Sequence, residues 1–367
     1  ILLHCWALVA QDEIWLRMSS VLFHLASIPL IFLVGRRLLG REAGIVAAAL
    51  LACSPFHLGF ARELRMYSLV GFLSLLSMEG LLAWLQDRSR RGWWTWGLAG
   101  LALLYTHFMG VLLLVAQLAI VVTGEEWRRR RGDVLRWMAL LIIGFLPWSL
   151  FFVKAFVVTH GYGGEAPLHH LVYALLRALT VGFGQADWLN QSGQVLAVVM
   201  LVGLWSLPSS PARNPLALWA LVPLALELIL TVAGKPVFAE RTLITSTPAW
   251  LLIAAWMITA ASSRWIRSGF AIAVGLLAGM SYAHLVGGQL PASPAHGAAL
   301  ADVLKDARPG DAIVHSSNVT YHPVHSYYLR RAAADGVVPD FYLEPAPAVA
   351  GGGGGGGVRA RWRAWRD

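Results

Sequence analysis

AGIVAAALLACSPFHLGFARELRMYSLVGFLSLLSMEGLLAWLQ, residues 43–86, holds two apolar runs joined by one short charged stretch, Arg62-Glu63-Leu64-Arg65. Each run approaches the ~20 residues an α-helix needs to cross ~30 Å of hydrocarbon. The pattern repeats outward in both directions. Ten apolar segments fall at about 19–35, 43–60, 67–86, 93–107, 108–123, 134–153, 190–207, 216–233, 243–261 and 269–286. Composition agrees: 57% of the 367 residues are hydrophobic, 13% are charged, and 17 are Trp. A soluble domain carries about 25% charge, so this chain has too little to clothe a water-facing surface. The sequence predicts an all-α polytopic membrane protein of about ten transmembrane helices, with a small C-terminal extracytoplasmic α/β segment.

Charge placement orders the segments. The net charge of +9 would suit a nucleic-acid binder, but fourteen of the 29 basic residues lie in short joints between apolar runs. Arg36, Arg37 and Arg41 share one joint; Arg88, Arg90 and Arg91 share the next. Arg128 to Arg131 with Arg136, Arg213, and Arg264 with Arg267 follow. With ten spans all of these fall on one side, the cytoplasm by the positive-inside rule, and no nucleic-acid partner is expected. That parity requires 93–123 to be two short spans broken near His107. Residues 1–10 are too short to span and read as an interfacial or re-entrant helix. The chain starts with Ile1 inside an apolar stretch, which reads as a sequence without its true N-terminus. The two cysteines, Cys5 and Cys53, exclude a disulfide or zinc framework.

The other face then holds 1–18, 61–66, 154–189, 234–242 and everything past about 287. A surface helix is predicted over 167–184. Domains are expected at 1–290 (transmembrane), 291–345 (small extracytoplasmic segment) and 346–367 (Gly-rich, disordered tail). Within the second, 296–307 and 320–332 look helical, Pro309-Gly310-Asp311 is a turn and Ala312 to His315 a short strand.

Basic residues that break the positive-inside pattern are the informative ones: Arg17, Arg62, Arg65, Lys154, Arg177, Lys235 and Arg241. A guanidinium at the non-cytoplasmic boundary asks for an anionic partner, and a lipid phosphate suits it because planar Arg forks hold phosphate oxygens bidentately. The competing reading pairs these groups with Glu63, Glu240 or ordinary headgroups. Glu79 and Glu227 fall inside spans with no evident cationic partner, which leaves proton coupling as a minor reading. His57 and His107 sit near helix ends and are more often hydrogen-bonded structural residues than bases. His160, His169 and His170 make a weak case for a metal; a divalent cation is left open, and the sequence does not indicate one. Gly35, Gly40 and Gly44 read as small-residue helix packing rather than a phosphate cradle.

Ser54-Pro55-Phe56-His57 followed by Ala61-Arg62-Glu63-Leu64-Arg65-Met66-Tyr67-Ser68 resembles the second outer loop of bacterial family 39-like glycosyltransferases. These are GT-C class enzymes, grouped with protein O-mannosyltransferases and the aminoarabinose transferase of lipid A. That loop commonly reads S-P-F-H, a few residues, then Q-E-A-R-M-Y. This chain keeps Glu63, Arg65, Met66 and Tyr67, with Arg62 in place of Gln and Leu64 in place of Ala. Glu13 to Arg17 with Ser19-Ser20 and Gly35-Arg36-Arg37-Leu38-Leu39-Gly40 resembles the second span with its flanks. Pro236-Val237-Phe238 with Arg241 and Pro248 resembles a late loop. The resemblance runs over roughly residues 1–290.

The resemblance implies a transferase that takes a sugar from a polyprenyl-phosphate donor to a lipid, glycan or protein acceptor at the outer face of the cytoplasmic membrane. It assigns Arg62, Arg65, Tyr67 and Arg241 to the donor phosphate and makes Glu63 the catalytic candidate. Glu13, Arg17, His57 and His107 are supporting candidates. The family's principal carboxylate pair follows a first span that this sequence does not show. Asp12 is rejected as a substitute, because the ten residues before it reach only ~15 Å as helix. The expected catalytic Asp therefore lies upstream of Ile1. Two alternatives remain open: a transporter or flippase of lipid-linked sugars, and a catalytically inactive membrane homologue.

Overall fold

The computed structural model describes residues 2–10, 12–124, 127–158, 187–207, 212–233, 240–260, 263–286, 305, 313–315, 340–344 and 361–363. The chain divides into two compact units, residues 1–290 and 291–367.

The first unit is helical among its described residues. A short α1 (Leu2–Ala7) precedes α2 (Glu13–Leu39). Asp12 is the N-cap of α2, its carboxylate accepting from the Trp15 N–H at 2.8 Å, which gives it a structural task. α3 (Arg41–Ala52) and α4 (Pro55–Ala61) follow, bent by 53° where Ser54 caps α4 and Pro55 opens it. α5 (Tyr67–Asp87) and α6 (Arg90–Thr106) form a hairpin. The chain then turns extended at His107 (φ −155°, ψ 124°) before α7 (Gly110–Thr123), so the expected break in 93–123 is present. α8 (Trp127–Val158), α9 (Asp187–Ser206) and α10 (Arg213–Val232) come next. A 3-10 turn (Glu240–Thr245) then leads into α11 (Thr247–Ala260) and α12 (Arg264–Val286).

Each of the ten apolar segments is thus helical over most of its described length, although fewer reach spanning length. Four helices are long and apolar enough to cross a membrane: Ile14–Leu39, Tyr67–Asp87, Arg129–Ser149 and Arg213–Val232. The bent α3–α4 pair would make a fifth, against the ten expected. Shorter apolar helices such as Gly110–Thr123 and Thr247–Ala260 have 14 residues each, which reach only ~21 Å.

Small residues set the tightest approaches. A Cβ on Gly80 would lie 2.5 Å from the Trp96 backbone nitrogen and 2.9 Å from the Gly92 carbonyl, so α5 and α6 touch through their backbones. Gly35 and Gly44 do the same for α2 and α3, with 2.8 Å to the Gly44 Cα. Gly40 belongs to neither contact: nothing lies within 4 Å of it, and its φ of +95° makes it the turn residue between α2 and α3. Indole stacking continues the α5–α6–α8 contact, with Trp84 on Trp96 (5.2 Å) and Trp96 on Trp137 (4.2 Å). A buried polar knot ties in α7: the Trp96 indole N–H donates to Gln117 Oε1 at 2.8 Å, and the Gln117 amide donates to Ser77 at 3.1 Å.

Charged side chains sort to the two ends of α5. At its C-terminal end Arg37 Nε donates to Glu79 at 2.6 Å, and its Nη1 donates to Asp87 at 2.7 Å. There too Arg130 donates to the Trp84 carbonyl at 2.6 Å, its guanidinium 5.1 Å from the Trp84 ring. Glu79 therefore has a cation after all, 42 positions away in sequence, and the proton-coupling reading loses that residue.

In the second unit β1 (Ile313–His315) pairs parallel with β2 (Asp340–Glu344), and β2 pairs antiparallel with β3 (Arg361–Arg363). β1 falls on the strand expected at Ala312 to His315. β3 lies within the stretch read as a disordered tail. The helices expected at 167–184, 296–307 and 320–332 and the turn at Pro309 lie outside the described residues.

Candidate functional site

Three helix junctions meet at the N-terminal end of α5. The first is the α4–α5 loop, Arg62 to Met66, held down by Ser20 of α2. The Ser20 hydroxyl donates to the Glu63 carbonyl at 2.8 Å and lies 3.4 Å from the Arg65 carbonyl. The second is the break at His107. The third is the 3-10 turn carrying Arg241, fixed by the buried Trp219 indole, which donates to the Thr245 carbonyl at 2.8 Å. Between them lies a small cleft lined by Tyr67, Val70, His107, Met109, Gly110, Arg241, Thr242, Ile244 and Thr245.

Of the residues singled out in the sequence, the cleft gathers Tyr67, His107 and Arg241. Tyr67 begins α5 and is buried, its ring 4.9 Å from Phe60 and 5.9 Å from His107. His107 Nδ1 accepts the Met109 N–H at 3.2 Å. Burial and the nearby Arg241 push this imidazole down to about 4, so at neutral pH it is uncharged. With Nδ1 accepting, the proton sits on Nε2, which makes His107 a neutral donor at the cleft wall.

Glu63 and Arg65 sit beside the cleft rather than in its lining. Arg65 Nε is 3.8 Å from Glu63 Oε2, with side chains 55% and 32% exposed. Arg241 and Arg17 also act on the Glu63 carboxyl. Arg62 is exposed at the end of α4. His57 is elsewhere: it is buried, its Nε2 3.0 Å from the Thr247 hydroxyl and its ring 6.3 Å from His24. That is the structural hydrogen-bonded role. The Glu13 side chain, Lys235, Pro236 to Phe238, and the histidines 160, 169 and 170 lie outside the described residues. Among the described residues no group of three or more His, Cys, Asp and Glu side chains could hold a metal.

Sequence reading missed Thr242 and Thr245, which a 3-10 turn after Arg241 brings to the cleft, and Met109 with Gly110, which follow the His107 break. Proximity to an already flagged cation was the available signal for the threonines. Trp219 gave none, since one more Trp in an apolar run is unremarked.

Burial pushes the Glu63 carboxyl up, against the opposing pull of Arg65, then Arg241, then Arg17. The folded chain thus holds this proton more tightly than the unfolded chain does. Its contribution to stability is complete below the unfolded value and is lost as pH rises through the folded one. The same titration alters the site: acidification through the raised value removes the negative charge facing Arg65 and Arg241. Binding of an anionic phosphate lipid should therefore strengthen as pH falls through a point above the ordinary carboxylate range. Glu63→Gln should show the strengthened binding without that pH step. Parallel titrations of lipid binding in the two proteins check this, and a step that survives in the Gln variant would contradict it.

Residues 2–151 match the family model described as dolichyl-phosphate-mannose-protein mannosyltransferase. Two solved structures are similar along most of the chain. ArnT from Cupriavidus metallidurans in the apo state superposes with a TM-score of 0.56 at 14% identity, covering 90% of this chain and 71% of its own. The same ArnT bound to undecaprenyl phosphate gives 0.53 at 14% identity, covering 91% and 77%. No curated protein sequence matches. The chain has an ArnT-like polytopic membrane fold, and the resemblance read in its sequence is matched by that fold and by the family model over 2–151.

Proposed function

We propose that this chain is a glycosyltransferase that moves a sugar from a polyprenyl-phosphate donor to a lipid, glycan or protein acceptor at the outer face of the cytoplasmic membrane. One observation carries the reading: Tyr67, His107 and Arg241, from three separate junctions, line one cleft with Arg65, Arg17 and Glu63 alongside. The described arginines of the predicted cytoplasmic joints include Arg37 and Arg130, which meet the opposite end of α5. Its 21 residues put about 30 Å between the ends. By the positive-inside rule that arginine-rich end faces the cytoplasm and the cleft faces outward. The family model is named for a dolichyl-phosphate-mannose enzyme, and one of the similar ArnT structures holds undecaprenyl phosphate. Both point to the same class of donor.

In this reading the bond from the sugar anomeric carbon to the phosphate oxygen breaks as the acceptor oxygen attacks from the other side, with inversion. The leaving phosphate gains negative charge as the bond lengthens. Arg241, Arg65 and Arg62 stabilise that charge more in the transition state than in the ground state. The Tyr67 hydroxyl and the His107 Nε2–H add neutral donors. The acceptor proton passes to a carboxylate, and Glu63 is the carboxylate that faces the cations here.

The test is donor consumption. Protein reconstituted in vesicles with a polyprenyl-phosphate-linked sugar should release the polyprenyl phosphate in the presence of a membrane extract supplying acceptors. Vectorial movement of intact donor across the vesicle, without release, would favour the transporter reading. Absence of both release and binding of polyprenyl phosphate would sink the proposal.

A further inference from the structure

The cations assigned to the donor stand on two separate pieces of chain. Arg62 and Arg65 belong to the α4–α5 loop, and Arg241 belongs to the 3-10 turn before α11. Like charges gathered round one cleft repel each other, so the two pieces need a tie to stay at the spacing one phosphate requires. His57 and Thr247 supply a direct one. His57 is on α4, which runs straight into Arg62, its C-cap. Thr247 opens α11 just after the turn. His57 Nε2 lies 3.0 Å from the Thr247 hydroxyl, across 190 positions of sequence, and both side chains are buried. The turn can transmit this contact because its carbonyls are filled. The hydroxyls of Thr245, Ser246 and Thr247 donate in succession to the carbonyls of Thr242 (3.3 Å), Leu243 (3.1 Å) and Ile244 (3.4 Å). The Trp219 indole fills the Thr245 carbonyl. The turn and the start of α11 therefore behave as one stiff piece.

We infer that His57 is a positioning residue: through Thr247 it sets the spacing between the Arg62–Arg65 loop and the Arg241 turn, so that arginines from both reach one lipid phosphate. With the Thr247 hydroxyl donating to Ile244, the bond runs from the His57 Nε2–H to the Thr247 oxygen. His57 touches neither donor nor acceptor, and a neutral side chain that donates from the same place serves as well. Loops ordered beforehand spare the lipid that cost on binding. His57→Leu removes the tie while leaving the Thr247 hydroxyl bonded to Ile244, so it strands no buried polar group there.

The inference rests on the phosphate reading of the cleft, and its test separates the two. Amide hydrogen exchange needs no ligand. His57→Leu should raise exchange at least fivefold in both 62–66 and 240–247, His57→Gln should leave it near wild type, and Thr247→Val should reproduce the Leu effect. With polyprenyl phosphate in vesicles, His57→Leu should weaken binding about tenfold, and Gln should restore it to within twofold. In an Arg241→Ala background the Leu substitution should cost less than twofold, because the spacing no longer joins two cations. Should the Leu variant not fold, Thr247→Val carries both arms. Unchanged exchange in both His57→Leu and Thr247→Val overturns the inference whatever the cleft binds. A full tenfold loss in the Arg241→Ala background also overturns it, by making His57 a packing residue with no bearing on the cation pair. If the exchange pattern holds but wild-type protein binds no polyprenyl phosphate, the phosphate reading fails and the inferred role towards the lipid fails with it.

Discussion

Arg241→Ala should lower kcat/KM for the lipid donor about a hundredfold, a loss of ~2.7 kcal/mol, the range seen when one preorganised donor to a developing oxyanion is removed. Arg241 earns the larger effect than Arg65 by position. It lines the cleft and is shielded by the 3-10 turn, where charge is poorly screened. Arg65 is 55% exposed and lies beside Glu63, so solvent and its counter-ion blunt it, and Arg65→Ala should cost only about three- to tenfold. Arg241→Lys should recover part of the loss, since a point charge replaces a bidentate fork. Steady-state donor kinetics in vesicles decide the matter. An Arg241→Ala enzyme within twofold of wild type would remove Arg241 from the phosphate site.

Gly80→Val should be the most damaging single substitution for folding, at ~3 kcal/mol or more. The contacts a Cβ would make there are backbone atoms of Trp96, Thr95 and Gly92, which cannot swing aside as a side chain can. The α5–α6 backbones must separate, and separation unstacks Trp84 from Trp96 and strains the Trp96–Gln117–Ser77 knot. The natural control is Gly275→Ala in α12, where nothing lies within 4 Å. That change should be neutral or stabilising by up to ~1 kcal/mol, the usual difference between Gly and Ala in a helix. Thermal unfolding in detergent of both variants checks the contrast. Equal melting of Gly80→Val and wild type would mean the close approach does not exist in the folded protein.

Much of the helical pattern was readable because it is local. Ten apolar runs, the break at His107 and the small-residue contact of Gly35 with Gly44 each depend on residues within a turn or a hairpin of one another. Span number was less readable, since apolar character fixes a helix's environment while its length fixes whether it crosses. α7 and α11 have the first without the second. Gly40 was misassigned because a glycine for packing and a glycine for positive φ look alike in sequence. What sequence could not supply was pairing at a distance: Glu79 with Arg37, His57 with the Thr247 hydroxyl, Trp219 with the Thr245 carbonyl. The cleft was half legible for the same reason. Arg241 broke the topological charge rule and so stood out, while the cleft's threonines broke no rule at all.

The backbone-to-backbone contacts at Gly35–Gly44 and Gly80–Gly92 have a consequence for assembly order. Both lie within hairpins of sequence neighbours, so their contact order is low and each can close soon after its second helix is synthesised. The cleft is different: its 3-10 turn arrives some 175 residues after Tyr67 and completes a wall whose other parts are already in place. A ribosome-stalled chain ending before residue 213 should therefore carry both glycine-sealed hairpins in native form, and no anion site.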